Sequence, residues 1–158
     1  MKALFRLSVL VATLFFLGAC GEDDHSYPEV YPTKIVHSQI SGTWQLTQWN
    51  GAGIADGLYF YITLESRDQK FTIYQNFDSA KARHQTGTYL LNYEESEGNT
   101  ITGVYDHASG FWNYTYLIDN LTKENMTWTA TDDTTDISIY TRCDAVPEDI
   151  LNGTRAEF

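Results

Sequence analysis

From residue 43 onward, apolar side chains return at every second position. "TWQLTQW" (43–49) sets Trp44 and Leu46 on one face, with Thr43, Gln45 and Thr47 on the other. "LYFYITL" (58–64) alternates Leu58, Phe60, Ile62 and Leu64 with Tyr59, Tyr61 and Thr63. "KFTIYQNF" (70–77) groups Phe71, Ile73 and Phe77, and "TGTYLLNY" (86–93) groups Gly87, Tyr89, Leu91 and Tyr93. "NTITGVYD" (99–106) places Ile101 and Tyr105 opposite Val104. "FWNYTYLI" (111–118) lines up Trp112, Tyr114, Tyr116 and Ile118, and "NMTWTA" (125–130) lines up Met126, Trp128 and Ala130. "DISIYTRC" (136–143) offers either Ile137 and Ile139 or Tyr140 and Arg142 to a core. Each run has the period of a half-buried β-strand, so the pattern predicts eight strands.

What lies between these runs is polar and turn-rich: "ESRDQ", "DSAKARH", "EESEGN", "DHASG" and "ATDDTTD". Links this short favour antiparallel neighbours in a meander. No proline occurs between residues 33 and 146, as unbroken sheet ladders require. No helical period of useful length appears; "VPEDILNG" makes at most a short helical turn behind Pro147. The fold class is therefore all-β: an eight-stranded antiparallel up-and-down meander closing into a small barrel. Closure also removes the edges that so aromatic a sheet would leave exposed.

Composition sharpens this picture. Aromatics make up 15% of the chain, and such side chains favour strands and bury large areas. The formal charge of −11 argues against nucleic acid as a partner, because phosphate binding needs Lys and Arg to replace counterions. It argues equally against a polybasic membrane-surface mode. Two cysteines, Cys20 and Cys143, are too few for a disulfide scaffold.

The first twenty residues, "MKALFRLSVLVATLFFLGAC", have a different logic. Lys2 and Arg6 precede an apolar core from Leu7 to Leu17, and small residues Gly18 and Ala19 follow. This is the layout of a secretory signal, with a core shorter than the roughly 20 residues of a membrane-spanning helix. "LGAC" resembles the lipobox of bacterial lipoproteins. The resemblance implies that Cys20 takes a diacylglycerol on its thiol and becomes the first mature residue. "GEDD" (21–24) is similar to the acidic export signals of surface lipoproteins in some Gram-negative anaerobes, which implies an outer-membrane, cell-surface location. The expected organisation is a signal peptide (1–19), a lipidated Cys and acidic tether (20–39), the barrel domain (40–143) and a C-terminal tail (144–158).

A second resemblance rests on Gly42-Thr43-Trp44 in the first strand, Arg142 in the last, and "TGTY" (86–89) in the fourth. An eight-stranded meander with these marks resembles the lipocalin-like domains of bacterial surface lipoproteins. The resemblance implies that Trp44 closes one end of the barrel and that Arg142 packs across it, with Gly42, Trp44 and Arg142 structural. It also implies an interior that takes a small apolar or amphipathic ligand, lined by Tyr89, Trp112, Tyr114, Tyr116 and Trp128. Those rings also suit a plugged barrel, since eight strands enclose a bore just wide enough for side chains to fill. In that case the domain is a structural or interaction module of a surface complex, and outward tyrosines such as Tyr59 and Tyr61 meet the partner. About 104 residues for eight strands and their loops make the strands short.

Nothing in the sequence points to an enzyme. His25, His37, His84 and His107 have no acid–base partner in pattern, and the triad types in "DHAS" (106–109) are neighbours on one turn. "TDDTTD" carries Asp132, Asp133 and Asp136 but lacks the ligand spacing of a calcium loop, and no zinc spacing exists. No cofactor is implied.

Overall fold

A computed structural model describes residues 33–77, 82–107 and 110–153. The signal segment, Cys20 and the acidic run lie outside the described residues. The strands are β1 (Gly42–Trp49), β2 (Ala52–Gly53), β3 (Phe60–Glu65), β4 (Lys70–Gln75), β5 (Arg83–Glu94), β6 (Gly98–Tyr105), β7 (Tyr116–Asp119), β8 (Asn125–Ala130) and β9 (Ile137–Cys143). Two single-turn helices flank them, α1 (His37–Ile40) and α2 (Glu148–Leu151). Every strand pairs antiparallel with its successor around the ring, and β9 returns to β1, giving a closed eight-stranded barrel. The extra strand, β2, is two residues long and folds back on the end of β1.

Alternation along the strands decides what faces in. Trp44, Leu46, Ile62, Leu64, Phe71, Ile73, Ile101, Met126 and Trp128 share one buried cluster, as the period of two requires. For β9 the inward pair is Ser138 and Tyr140; Ile137 and Ile139 face out. "FWNYTYLI" departs from expectation. Its strand starts only at Tyr116, and Phe111 makes an isolated bridge to Val104. Between them the Trp112 ring lies against Gly103, where an added Cβ would come within 2.2 Å of it. The Trp112 N–H still bonds the Gly103 carbonyl at 2.8 Å and the Thr115 carbonyl still accepts from Thr131 at 2.9 Å, so the segment stays tied to both neighbours without forming a regular strand.

Both chain ends are more structured than expected. Residues 33–39, assigned above to the tether, pack on the barrel. Buried Asn99 accepts the Ile35 N–H at 2.6 Å and donates to the Thr33 carbonyl at 2.9 Å. Ile40, at the end of α1, is fully buried under the barrel. In the C-terminal segment, Val146 and Ile150 cover Tyr59 and Tyr61 on the outer wall, leaving those tyrosines 3% and 5% exposed. The two are therefore not a free partner surface: a segment far away in sequence already occupies it. Half-buried Cys143 packs at the edge of this cluster as a free thiol, its pKa raised by burial and by Asp144.

One end of the ring is locked by a compact arrangement. Trp44 and Arg142 are cross-strand partners, and the guanidinium lies 4.0 Å from the centre of the indole ring. Arg142 also donates to the carbonyls of Ser41, Gln39 and Lys123. The Trp44 indole N–H donates to the Ile40 carbonyl at 2.8 Å. Gly42 has φ of 124°, and a Cβ there would fall 2.3 Å from an Arg142 nitrogen. Only glycine both adopts that backbone and lets the guanidinium pass.

Arg142→Ala should therefore lower unfolding stability by about 2–4 kcal/mol, the loss of a cation–π contact plus charged hydrogen bonds to backbone. Arg142→Lys should recover less than half, because an ammonium cannot bond three carbonyls and cover the ring together. Urea unfolding curves of the two variants measure both values.

Candidate functional site

The two ends of the barrel differ. At the Trp44 end the bore is filled: Ile40, Trp44, Leu64, Phe71, Ile101 and Met126 are each under 2% exposed. At the other end, where β1, β4 and β6 finish, a cavity of about 310 Å³ opens to solvent. Leu46, Ile62, Ile73, Trp112, Trp128 and Tyr140 are its buried apolar lining. Trp49, Phe77, Tyr105 and Tyr114 are more exposed, and Gln75, Asn113, Asp136 and Ser138 supply the polar groups. The barrel is thus plugged in one half and hollow in the other.

Trp128 is the hub of the lining. Its ring centre lies 4.9 Å from Tyr140, 5.5 Å from Tyr116 and 5.5 Å from Trp112. Trp112 continues the chain of rings to Phe71 at 5.0 Å, and Phe71 reaches Tyr105 at 5.5 Å. Tilted and edge-on pairs at such distances are favourable beyond their buried area. Two inward glycines make room for this stack: Gly87 lies under the Phe71 ring and Gly103 under Trp112. The indole N–H groups of Trp112 and Trp128 are buried without hydrogen-bond partners among the described residues, so packing alone sets their rotation.

The polar fittings are at the rim. Trp49 donates its indole N–H to Asp136 at 2.7 Å and meets Phe77 edge-on at 6.0 Å. Trp49 reaches this position through a register shift in β1 between Leu46 and Gln48. Strict alternation would turn Trp49 outward; the extra residue turns it in. Gln75 accepts the Phe77 N–H at 2.8 Å, holding that ring's backbone. In the next loop, Asp133 accepts from the backbone and hydroxyl of Thr135, which closes a turn and holds its carboxyl below the usual range. Among the described residues no cluster of three or more His, Cys, Asp or Glu side chains is placed to hold a metal ion.

Of the five lining residues expected from the sequence, Trp112, Tyr114, Tyr116 and Trp128 border the cavity. Tyr89 does not. It lies at the filled end, bonded through its hydroxyl to the Glu65 carbonyl at 3.2 Å and beside His37. Tyr89 faces inward as the alternation requires, but its depth along the bore puts it below the hollow. Trp49, Phe60, Phe77, Tyr105, Tyr140 and Asp136 join the lining without having been singled out. Phe60, Phe77 and Tyr105 are on the correct alternating face, and only depth was missing. Nothing local in the sequence marks the bulge that brings in Trp49. Gly42, Trp44 and Arg142 stand together at the sealed end; Cys20 lies outside the described residues.

Burial pushes the Tyr116 hydroxyl up to about 12, helped by the nearby Asp136 carboxylate and by Tyr105 and Tyr114. Burial raises Tyr140 further. An unfolded tyrosine ionises near 10. Stability from the neutral Tyr116 phenol is thus whole below pH 10 and disappears as pH climbs through about 12. Phenolate absorbance should show late ionisation, and Tyr116→Phe should lower the amplitude of the step near pH 12 by one tyrosine while leaving the later step of Tyr140. A single wave near pH 10 in the folded protein would contradict the buried environment.

In comparisons with known proteins, no family model and no curated protein matches this chain, so its function is argued from the geometry of the hollow.

Proposed function

We propose that this chain is a lipid-anchored, non-enzymatic lipoprotein of the bacterial cell envelope. On this reading its barrel is a lipocalin-like domain that takes a small hydrophobic or amphipathic molecule into the open end. The observation that carries the binding role is the 310 Å³ aromatic hollow at one end of a barrel sealed at the other. Its volume is at the lower end of the range for small-molecule sites, and such sites share its mixture of apolar walls and few polar groups. The location rests on the signal layout and on "LGAC" ending at Cys20. A single acyl chain holds a protein only marginally, whereas several chains, each worth about 0.8 kcal/mol per buried CH₂, hold it firmly. Thr33 is tied by Asn99 at the start of β6, at the sealed end. The described chain thus enters the barrel at the end opposite the mouth.

A second reading, a protein-interaction module of a surface complex, has one observation in its favour. Leu90, Val104 and Phe111 are 51%, 38% and 71% exposed. The β5–β6 register and the Val104–Phe111 bridge make them neighbours on the outer wall.

Two experiments test the proposal. Cys20→Ala should move the protein from the membrane fraction to the soluble fraction and abolish fatty-acid labelling; labelling that persists would refute the anchor. An apolar solvatochromic dye should bind saturably, about tenfold more weakly in Trp128→Ala and a few-fold more weakly in the rim variant Trp49→Ala. An absence of saturable binding in the unaltered protein would leave the interaction module as the better reading.

A further inference from the structure

The polarity of the hollow is one-sided. Among the described residues, Asp136 is the only acidic or basic side chain in its lining, and no Lys, Arg or His borders it. One Asp136 oxygen accepts the Trp49 indole N–H; the other has no partner among the described residues. The loops and strand ends around the mouth add Asp56, Asp106, Asp132 and Asp133, against Arg83 as the one Lys or Arg there among the described residues. The chain as a whole carries −11. Beside this carboxylate stand Trp49, Tyr114 and Tyr116, whose ring faces are electron-rich. The field of Asp136 is felt inside the hollow, since it helps hold the Tyr116 phenol in its neutral form.

From the single carboxylate set among aromatic faces, we infer that the hollow selects an organic cation: a small molecule with one ammonium group on an apolar body. This inference rests on the ligand-binding reading above and names the class of ligand. An ammonium entering the mouth meets Asp136 beside the rings of Trp49 and Tyr116, while its apolar body reaches the wall of Trp112, Trp128 and Tyr140. A carboxylate or sulfonate of equal size meets the repulsion of Asp136 with no cation among the described lining residues to offset it. The available volume corresponds to about ten water molecules at roughly 30 Å³ each, room for one substituted ring or a short branched chain. The acidic surroundings raise the local concentration of cations before contact.

The test is competition against a neutral solvatochromic dye on the full-length chain. Three ligands of nearly equal shape are compared: benzyltrimethylammonium, its uncharged isostere neopentylbenzene, and benzylsulfonate. Benzyltrimethylammonium should displace the dye at concentrations at least tenfold below those of neopentylbenzene, and benzylsulfonate should be the weakest. Asp136→Asn keeps an oxygen for the Trp49 indole while removing the charge. It should bring the cation and the isostere to within about twofold of one another. Equal displacement by the cation and the isostere in the unaltered protein would overturn the inference yet leave a binding hollow standing. So would a preference that survives in Asp136→Asn. If the dye itself fails to bind, the binding reading and this inference fall together.

Discussion

The contact between Arg142 and Trp44 is the constraint on which the rest of the barrel depends. It joins the last strand to the first, so it completes the ring in which every strand finds two neighbours. The same guanidinium gathers three carbonyls from the approach to β1 and from the β7–β8 turn. Trp44 in turn holds the Ile40 carbonyl and keeps α1 beneath the bore. A sheet that ended at β9 would present two open edges and no distinction between its ends. With the lock in place, one end is shut by packed rings and charge-assisted hydrogen bonds. Any hollow must then open at the other.

Within that frame, the division into a filled half and an open half follows from side-chain size and placement. Near Trp44 the bore contains large, fully buried side chains. Toward the mouth, the Trp112 ring lies against the wall at Gly103, where the missing side chain leaves it room. Aromatic residues serve both halves for different reasons. At the filled end they supply volume. Around the hollow they supply flat faces and, through Tyr and Trp, polar edges beside an apolar body. One carboxylate among such faces gives the hollow a sign as well as a shape.

The terminal segments decide what remains of the outer surface. Asn99 satisfies two backbone groups of the N-terminal segment at once, which turns residues 33–36 into part of the sealed end. Val146 and Ile150 bury the Tyr59 and Tyr61 face of β3. Leu90, Val104 and Phe111 remain an uncovered apolar patch on the wall, and among the described residues none before β1 or after β9 lines the mouth.

Much of the architecture was legible in the sequence, because strand geometry is local. A period of two says which residues face inward, and it did so correctly for Phe60, Ile62, Phe71, Gly87, Tyr89, Ile101, Met126 and Trp128. Spaced turns implied a meander. The grouping of Gly42, Trp44 and Arg142 came from the lipocalin-like resemblance rather than from local pattern, and the structure brings the three together at the sealed end. Tertiary structure alone decided depth and coverage. Tyr89 and Tyr116 follow the same alternation, but strand register puts one beneath the filled end and the other beside the hollow. Trp49 turns inward through a bulge that no local pattern announces. Tyr59 and Tyr61 look outward in their own strand, yet they are covered from almost ninety residues away. Alternation specifies a face; only the packing of distant segments specifies how far along the bore that face lies and what rests upon it.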